Sequence, residues 1–394
     1  MRCATALSTL NDSTGAITDV VERVKLGLEA ARVDLAIGFC SPHHASALRV
    51  LADRTLTEGL AKRFLGCTAE SVVGEDREIE NGPALVLWAI ELADVDLTPI
   101  RLTGSGADGL ERLKHAPVVN SCVLLTGDPF TFAADSFLNE LNQHAPGLRV
   151  IGGMASGGRQ AGRNRIVLDG AEHRDGAAAI VLTGPLRIRS IVSQGCRPIG
   201  KTFLITRCEE NVIRELGRRP ALEVLQELFE ELDSDDQDRA RRGLHIGRVI
   251  NEYQESFQRG DFLIRNVLGA DDAGGIAISD ALRVGQTVQF HVRDAETADE
   301  DLRGMLAPRG RSKPRGRIAG GILFTCNGRG SRLFDEPDHD VSVMREILGE
   351  IPIAGFFAMG EIGPVGGKNF LHGFTASAAL FEEPAESSIN RPNA

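Results

Sequence analysis

One order of elements returns three times along this 394-residue chain and restricts its fold more than any other feature. Each unit runs apolar strand, helix, short strand, glycine-rich turn, hairpin arm. In the first unit Val33–Cys40 reads as a strand, 45–64 as a helix ending at LGCTAESVVGEDREIENG, and 84–92 as a long strand. An amphipathic helix over 18–31 stands ahead of them. In the second, strand 121–126 and helix 132–143 precede a short strand at 150–151 that enters GGMASGGRQ, then a strand at 177–182. In the third, strand 321–324 and helix 341–348 precede a strand at 351–354 that enters GFFAMGEIGPVGG, then a closing strand at 375–381. Apolar runs alternating with helices specify sheets whose outer faces are covered by those helices. Gly66-Cys67, Gly152-Gly153 and Gly355-Phe356 hold equivalent places, which reads as a degenerate internal duplication. Cys40 and Cys326 each close the first strand of a unit, where open α/β sheets offer groups to ligands.

The region between the second and third units is of another kind. Leu222, Leu225, Leu228 and Phe229 place a helix over 220–232, and an acidic run follows at 233–238. Three alternating segments across FLIRNVLGADDAGGIAISDALRVGQTVQFHVRD predict an antiparallel meander, with a helix over 296–306 after it. The basic stretch 307–317 reads as an exposed flexible loop and the polar tail 383–394 as frayed. The expectation is an α/β protein of two packed halves, 1–215 and 216–394, with mixed β-sheets built from the repeated units.

Composition excludes several functions. A net charge of −11 disfavours nucleic-acid backbones, and one Trp with one Tyr leaves no platform for stacking bases. No apolar run approaches the roughly 18 to 20 residues of a membrane-spanning helix, and the opening MRCATALSTLNDSTG has too short an apolar core for a signal peptide. Seven scattered cysteines without a C-x-x-C pair fit a reducing interior. A soluble cytoplasmic protein with no nucleic-acid or membrane partner is expected.

The stretch GILFTCNGRG, 321–330, carries the chemistry worth weighing. A strand runs straight into Cys326, Asn327, Gly328, Arg329 and Gly330, and the glycines can turn backbone N–H groups toward an anion. A catalytic thiol also needs a base, for which His372 is the candidate, but no spacing fixes it, and a free Cys most often packs as a small hydrophobe. In the glycine-rich passage after it, Gly360 and Glu361 stand out. Glu361 is the sole charge between 354 and 368, so it either pairs a buried cation such as Arg329 or reads a ligand amine. Elsewhere, GSGADG at 104–109 matches G-x-G-x-x-G but lacks a crossover helix of useful length, and no Walker motif occurs, so no nucleotide cofactor is expected. His43-His44 beside Cys40 lack metal-ligand spacing and read as a turn into the next helix, so no metal is expected.

GILFTCNGRG, then IPIAGFFAMGEIGP and LHGFTASAALF, is similar to the C-terminal half of the FIST family, the F-box and intracellular signal transduction proteins. The stretch 262–302 resembles that half as well, while AIGFCSPHH, GCTAESVVG and VIGGMASGG resemble its N-terminal half. The likeness covers about 34–381 and implies a FIST N-like and a FIST C-like domain. It also implies a stand-alone sensor of small ligands such as amino acids, with output through a signalling partner or a homo-oligomer interface. It supplies no catalytic residue. On this reading Arg329 meets a ligand carboxylate bidentately and Glu361 an amine. Cys326, Asn327, Gly328, Gly330 and Gly360 line the site, and Cys40, Gly66 and Cys67 are drawn in from the first unit. Two other classes stay open behind sensing: a protein-interaction scaffold using the basic loop and the acidic run, then a thiol-dependent enzyme acting on amides or esters.

Overall fold

The repeat in the sequence is a repeat in space. The computed structural model describes residues 1–258, 260–307 and 316–383. Residues 308–315 of the basic loop and the tail from 384 lie outside them. Each repeat builds a sheet in the same order: opening strand, closing strand, two parallel strands, then a hairpin. In repeat I the four strands are Cys3–Ser8, Leu85–Ile90, Val33–Cys40 and Ala61–Thr68. In repeat II they are Asp96–Leu102, Ala177–Thr183, Ser121–Gly127 and Arg149–Met154. In repeat III they are Arg187–Gln194, Thr375–Glu382, Ile318–Cys326 and Ile353–Ala358.

The hairpin that completes each sheet comes from a different repeat. Repeat I sends Val72–Gly74 and Arg77–Ile79 to the edge of Ile353–Ala358 in repeat III. Repeat II sends Ile166–Leu168 and Ala171–His173 to Ala61–Thr68 in repeat I. Repeat III sends Glu361–Val365 and Lys368–His372 to Arg149–Met154 in repeat II. The exchange is cyclic, and every sheet edge that a hairpin covers is an edge closed against stray pairing.

Both faces of these sheets are buried, which is why the strands read as unbroken apolar runs. The inner faces of all three meet in one core, where the Phe39 ring centre lies 4.7 Å from that of Phe356 and 6.4 Å from that of Phe324. The outer faces carry helices: Ser13–Gly27 and Ala47–Thr57 on repeat I, Ala107–Leu113 and Ala134–His144 on repeat II, His339–Leu348 on repeat III. The equivalent glycines allow the parallel pairs to close. A Cβ on Gly66, Gly152 or Gly355 would lie 2.2, 1.9 or 2.0 Å from the carbonyl oxygen of Gly38, Leu125 or Leu323 on the neighbouring strand.

Two features of the chain differ from the sequence reading. The helix expected over 45–64 ends at Thr57; Gly59 takes a φ of 70°, and the strand Ala61–Thr68 begins just beyond it. The acidic run 233–238, to which the sequence reading gave no element, opens a helix. Asp233 caps the helix Ser234–Arg242, accepting from the Asp236 N–H at 2.8 Å, and Asp236 pairs with Arg239 and Arg197.

Two compact units result, neither continuous in sequence. The larger comprises Met1–Val192, Leu302–Leu371 and the residues from Thr375, so it holds the three repeats; the smaller comprises Ser193–Asp301 and His372–Phe374. The division near 215 falls inside the smaller unit, in Val212–Leu216. The three strands expected as a meander, Phe262–Ala270, Ile276–Ile278 and Thr287–Arg293, lie in that unit, but only the first two are neighbours; Thr287–Arg293 pairs instead with Leu244–Val249 and Cys196–Glu209. Together with Val212–Leu216 these strands form an antiparallel circuit that closes on itself. Helix Ala221–Glu231 packs Val224 and Leu228 into the same core as Ile246, Phe290 and Val292.

Candidate functional site

Threefold repetition supplies an internal control, because equivalent positions can be counted from the paired glycines. Gly38, Leu125 and Leu323 stand opposite Gly66, Gly152 and Gly355. Two residues on, Cys40 therefore matches Gly127 and Thr325, while Cys326 matches Ser41 and Asp128. The two thiols that seemed alike are one residue out of step, so their side chains leave opposite faces of their sheets. Cys40 packs in the helix-covered core of repeat I and Cys67 in the central core, and burial pushes both thiols up. Gly66 serves the close strand contact. None of these three is brought to the turn that follows Cys326.

In repeats I and II the equivalent corner is closed by its own side chains. The Ser41 hydroxyl accepts the N–H of Ala84, which leads into the closing strand, at 2.9 Å. In repeat II, Thr131 accepts the matching N–H of Gly176 at 2.8 Å and donates to Asp128 at 2.6 Å. The other Asp128 oxygen takes a bond from Asn164 at 2.8 Å. In both corners the N–H leading into the closing strand has a hydroxyl acceptor, and in repeat II both Asp128 oxygens are bonded.

Repeat III departs from both. Its N–H at that place belongs to Thr375, and the acceptor is Glu361 Oε2 at 3.1 Å, which also takes the Thr375 hydroxyl at 2.8 Å. Glu361 stands opposite Gly153, the position that Ile166 and Val72 hold opposite Cys67 and Phe356. Ile166 and Val72 belong to the central core. A carboxyl thus occupies a site where the fold twice takes an aliphatic side chain. It is fully buried, and burial drives its pKa up to about 8, although Thr375 and the charge of Arg329 pull the other way. Its second oxygen, Oε1, has no hydrogen-bond partner among the described residues.

Arg329 is fully buried beside it, in a turn where its N–H bonds back to the Cys326 carbonyl at 2.8 Å. Its bidentate partner is Asp340, not Glu361: Nε and Nη2 each donate to an Asp340 oxygen at 2.7 Å. Asp340 also receives Thr325 at 2.6 Å and His339 at 3.0 Å. Burial works against its charge, but Arg329 overrides it and holds the carboxyl well below the usual range. The guanidinium lies 5.2 Å from the Phe334 ring centre, and Phe334 stacks on His339. One edge of Arg329, Nη1, is left without a partner, as is Asn327 Oδ1.

The hairpin lent by repeat I frames the turn from the other side. Glu78 accepts the Val341 N–H at 3.0 Å, in the first turn of helix His339–Leu348. Burial and the neighbouring Asp340 push its pKa up to about 8. Glu80 takes both the N–H and the hydroxyl of Ser331 at 2.7 and 2.8 Å, and Glu70 pairs with Arg332. Gly330 has a φ of 60°, and a Cβ there would lie 2.5 Å from Glu80. Cys326 is half-buried, and the Gly328 N–H lies 3.4 Å from its sulfur. Gly360 has a φ of 127°, and its carbonyl accepts the Met154 N–H at 2.8 Å. His372 ends the strand Lys368–His372 and is grouped with the smaller unit.

Thus the turn, Glu361 and Arg329 come together as expected, but the clamp face of Arg329 is already taken. Asp340, Thr325, Thr375 and Glu78 went unnoticed in the sequence. Asp340 follows DEPD and His339, where an acid in the first turn of a helix reads as ordinary dipole chemistry.

The FIST N domain model matches residues 34–219 and the FIST C domain model residues 221–364. An uncharacterised protein of Mycobacterium bovis is 39% identical over 392 residues, 98% of this chain and 100% of its own length. Another of Mycobacterium tuberculosis is 40% identical over 384 residues, 97% and 100% of the two. An F-box/LRR-repeat protein of Arabidopsis thaliana is 30% identical over 104 residues, 26% of this chain and 20% of its own. FIST domains are associated with signal transduction. On the strength of two models that together span nearly all of its repeats and inserted barrel, the chain belongs to the FIST family.

Proposed function

We propose that this chain is a sensory module that binds a small ligand of the amino-acid class at the turn after Cys326, and signals through a protein partner or a second copy. One observation carries the reading: Glu361 is a buried carboxyl with an unpartnered oxygen, at a position held by Ile166 and Val72 in the other two repeats. Burying a polar atom without a partner costs about 1–3 kcal/mol, and the fold shows twice how to avoid that cost. A ligand that meets Glu361 Oε1, Arg329 Nη1 and Asn327 Oδ1 offsets it. Cys326 and the Gly328–Gly330 backbone form the wall, and no step of chemistry is needed.

Calorimetric titration of the purified protein with the amino acids, alongside an Asn327→Ala protein, tests this. Binding by at least one amino acid, weakened in the variant, is the expected result. If no amino acid binds or raises the melting temperature, the reading is wrong.

A further inference from the structure

We infer that the site takes a ligand through a cationic amine and needs no ligand carboxylate, Glu361 supplying the counter-charge while Arg329 is held as framework. This rests on the ligand-binding reading above and narrows it.

Arg329 first. A guanidinium grips a carboxylate through two parallel N–H bonds, and those of Nε and Nη2 are both spent on Asp340. Asp340 is fully buried and held in turn by Thr325 and His339. A ligand carboxylate that took its place would leave it charged, buried and unpaired, which is among the costliest states in a protein interior. Nη1 keeps its two N–H donors, but Asp340 already matches the charge of the guanidinium, so a ligand carboxylate taken there would be a second buried anion on one cation.

The unpartnered atoms nearest the turn are mainly acceptors. Glu361 Oε1 and Asn327 Oδ1 both lack donors among the described residues. An ammonium group brings three N–H donors and no acceptor, which suits them. A ligand hydroxyl or amide offers fewer donors and no charge. A residue meant only to hydrogen-bond a neutral group could have been Gln or Ser; a carboxyl adds the capacity to become an anion when a cation arrives.

The charged surroundings of Glu361 agree. Arg329 is the cation that acts on it, and Arg329 is itself held by Asp340 and also acted on by Glu78. The strand that pairs with it presents Gly153 and Gly152 opposite, without a titratable group. Thr375 offers its N–H and hydroxyl, and the backbone of Gly360 also favours the charged form. With its pKa up at about 8, Glu361 is mostly neutral at neutral pH. When the amine enters, the carboxyl proton leaves to the buffer and a buried ion pair replaces it, so net charge at the site is unchanged.

The experiment is titration calorimetry at neutral pH in two buffers of different ionisation enthalpy, from which the proton count follows. The probes are the amino acids, their α-amides, the matching decarboxylated amines, and the N-acetyl amino acids. An amide or amine binding within about tenfold of its parent acid, no binding by N-acetyl forms, and release of close to one proton per ligand support the inference. In the Glu361→Gln protein the proton release should vanish and amine affinity fall at least about tenfold. If amino acids bind while their amides do not, or if no proton is released by the wild type, the inference falls and the sensory reading stands. If no probe binds at all, both fall.

Discussion

Replacing Glu361 with Gln tests the electrostatics of the site without any ligand. Gln keeps an oxygen to accept from Thr375, so the N–H leading into the closing strand stays satisfied, but it cannot titrate. In the wild type the folded carboxyl has a pKa of about 8 against an ordinary 4.5, because it is buried. Between those values the unfolded chain has released a proton that the folded chain retains. A raised folded pKa means stability that is present at low pH and is lost as pH rises toward the folded value. Relative to the variant, the wild-type folding constant should therefore fall about tenfold per pH unit across that window, to a penalty of about 3 kcal/mol near neutrality, and level off above it. Glu78 shifts upward too but is common to both proteins, so the difference isolates Glu361. The assay is urea unfolding followed through Trp88, which is buried in the same unit, at steps from pH 5 to 9. Parallel stability curves for the two proteins would show that Glu361 enters the fold ionised, and the argument built on its burial would collapse.

Three further outcomes follow from the same structure. Asp340→Asn strips the counter-charge from a fully buried Arg329 and should cost about 3–5 kcal/mol in urea unfolding; a loss under about 1 kcal/mol would mean that the pair is solvent-screened. Gly355→Ala drives a Cβ to 2.0 Å from the Leu323 carbonyl oxygen, a backbone atom that cannot step aside, so a markedly lower melting temperature or insoluble protein is expected. An unchanged melting curve would contradict the strand spacing. In the smaller unit His245 and His291 face each other across paired strands; burial lowers both to about 4, and Arg293 adds to the effect at His245. Their folded pKa values lie below the ordinary 6.5, so stability should drop as pH falls from there toward 4, and His245→Phe should recover part of the loss in acid unfolding monitored by circular dichroism.

The recurring order of elements was legible because helices and doubly buried strands leave different periods, and the three glycines marked the same contact in each unit. Which sheet each hairpin joins was not. Val72–Gly74 pairs with a strand some 280 residues away in sequence, and nothing local records a partner so distant. The strand Ala61–Thr68 was hidden for a different reason: Leu60, Ala61 and Phe64 continue the helical spacing of the preceding segment, and only the left-handed Gly59 separates the two. At the site, Arg329 and Glu361 declared themselves as isolated charges among apolar residues. Their partners did not, since Asp340 and Thr375 look like any helix-initiating acid and any strand threonine.

Position by position, the repeats also sort fold from function in a way that composition never does. Where all three agree, as in the glycine at 66, 152 and 355, the strand contact alone accounts for the residue. Where repeats I and II close a corner with a residue just after the first parallel strand and repeat III uses the carboxyl of its exported hairpin, the fold has demonstrated two stable solutions and repeat III uses neither. The thiol at 326 fails that comparison, because its counterparts Ser41 and Asp128 are equally polar and equally ordinary. The carboxyl at 361 passes it, because Ile166 and Val72 show what packing prefers there. The same comparison narrows a purely architectural account of Glu361: the Thr375 N–H that it accepts is met in the other repeats by the hydroxyls of Ser41 and Thr131, and the carboxyl buried in repeat II, Asp128, has both its oxygens bonded. What remains unexplained by the fold is the second carboxylate oxygen, and a ligand amine is the simplest partner that would make it worth keeping.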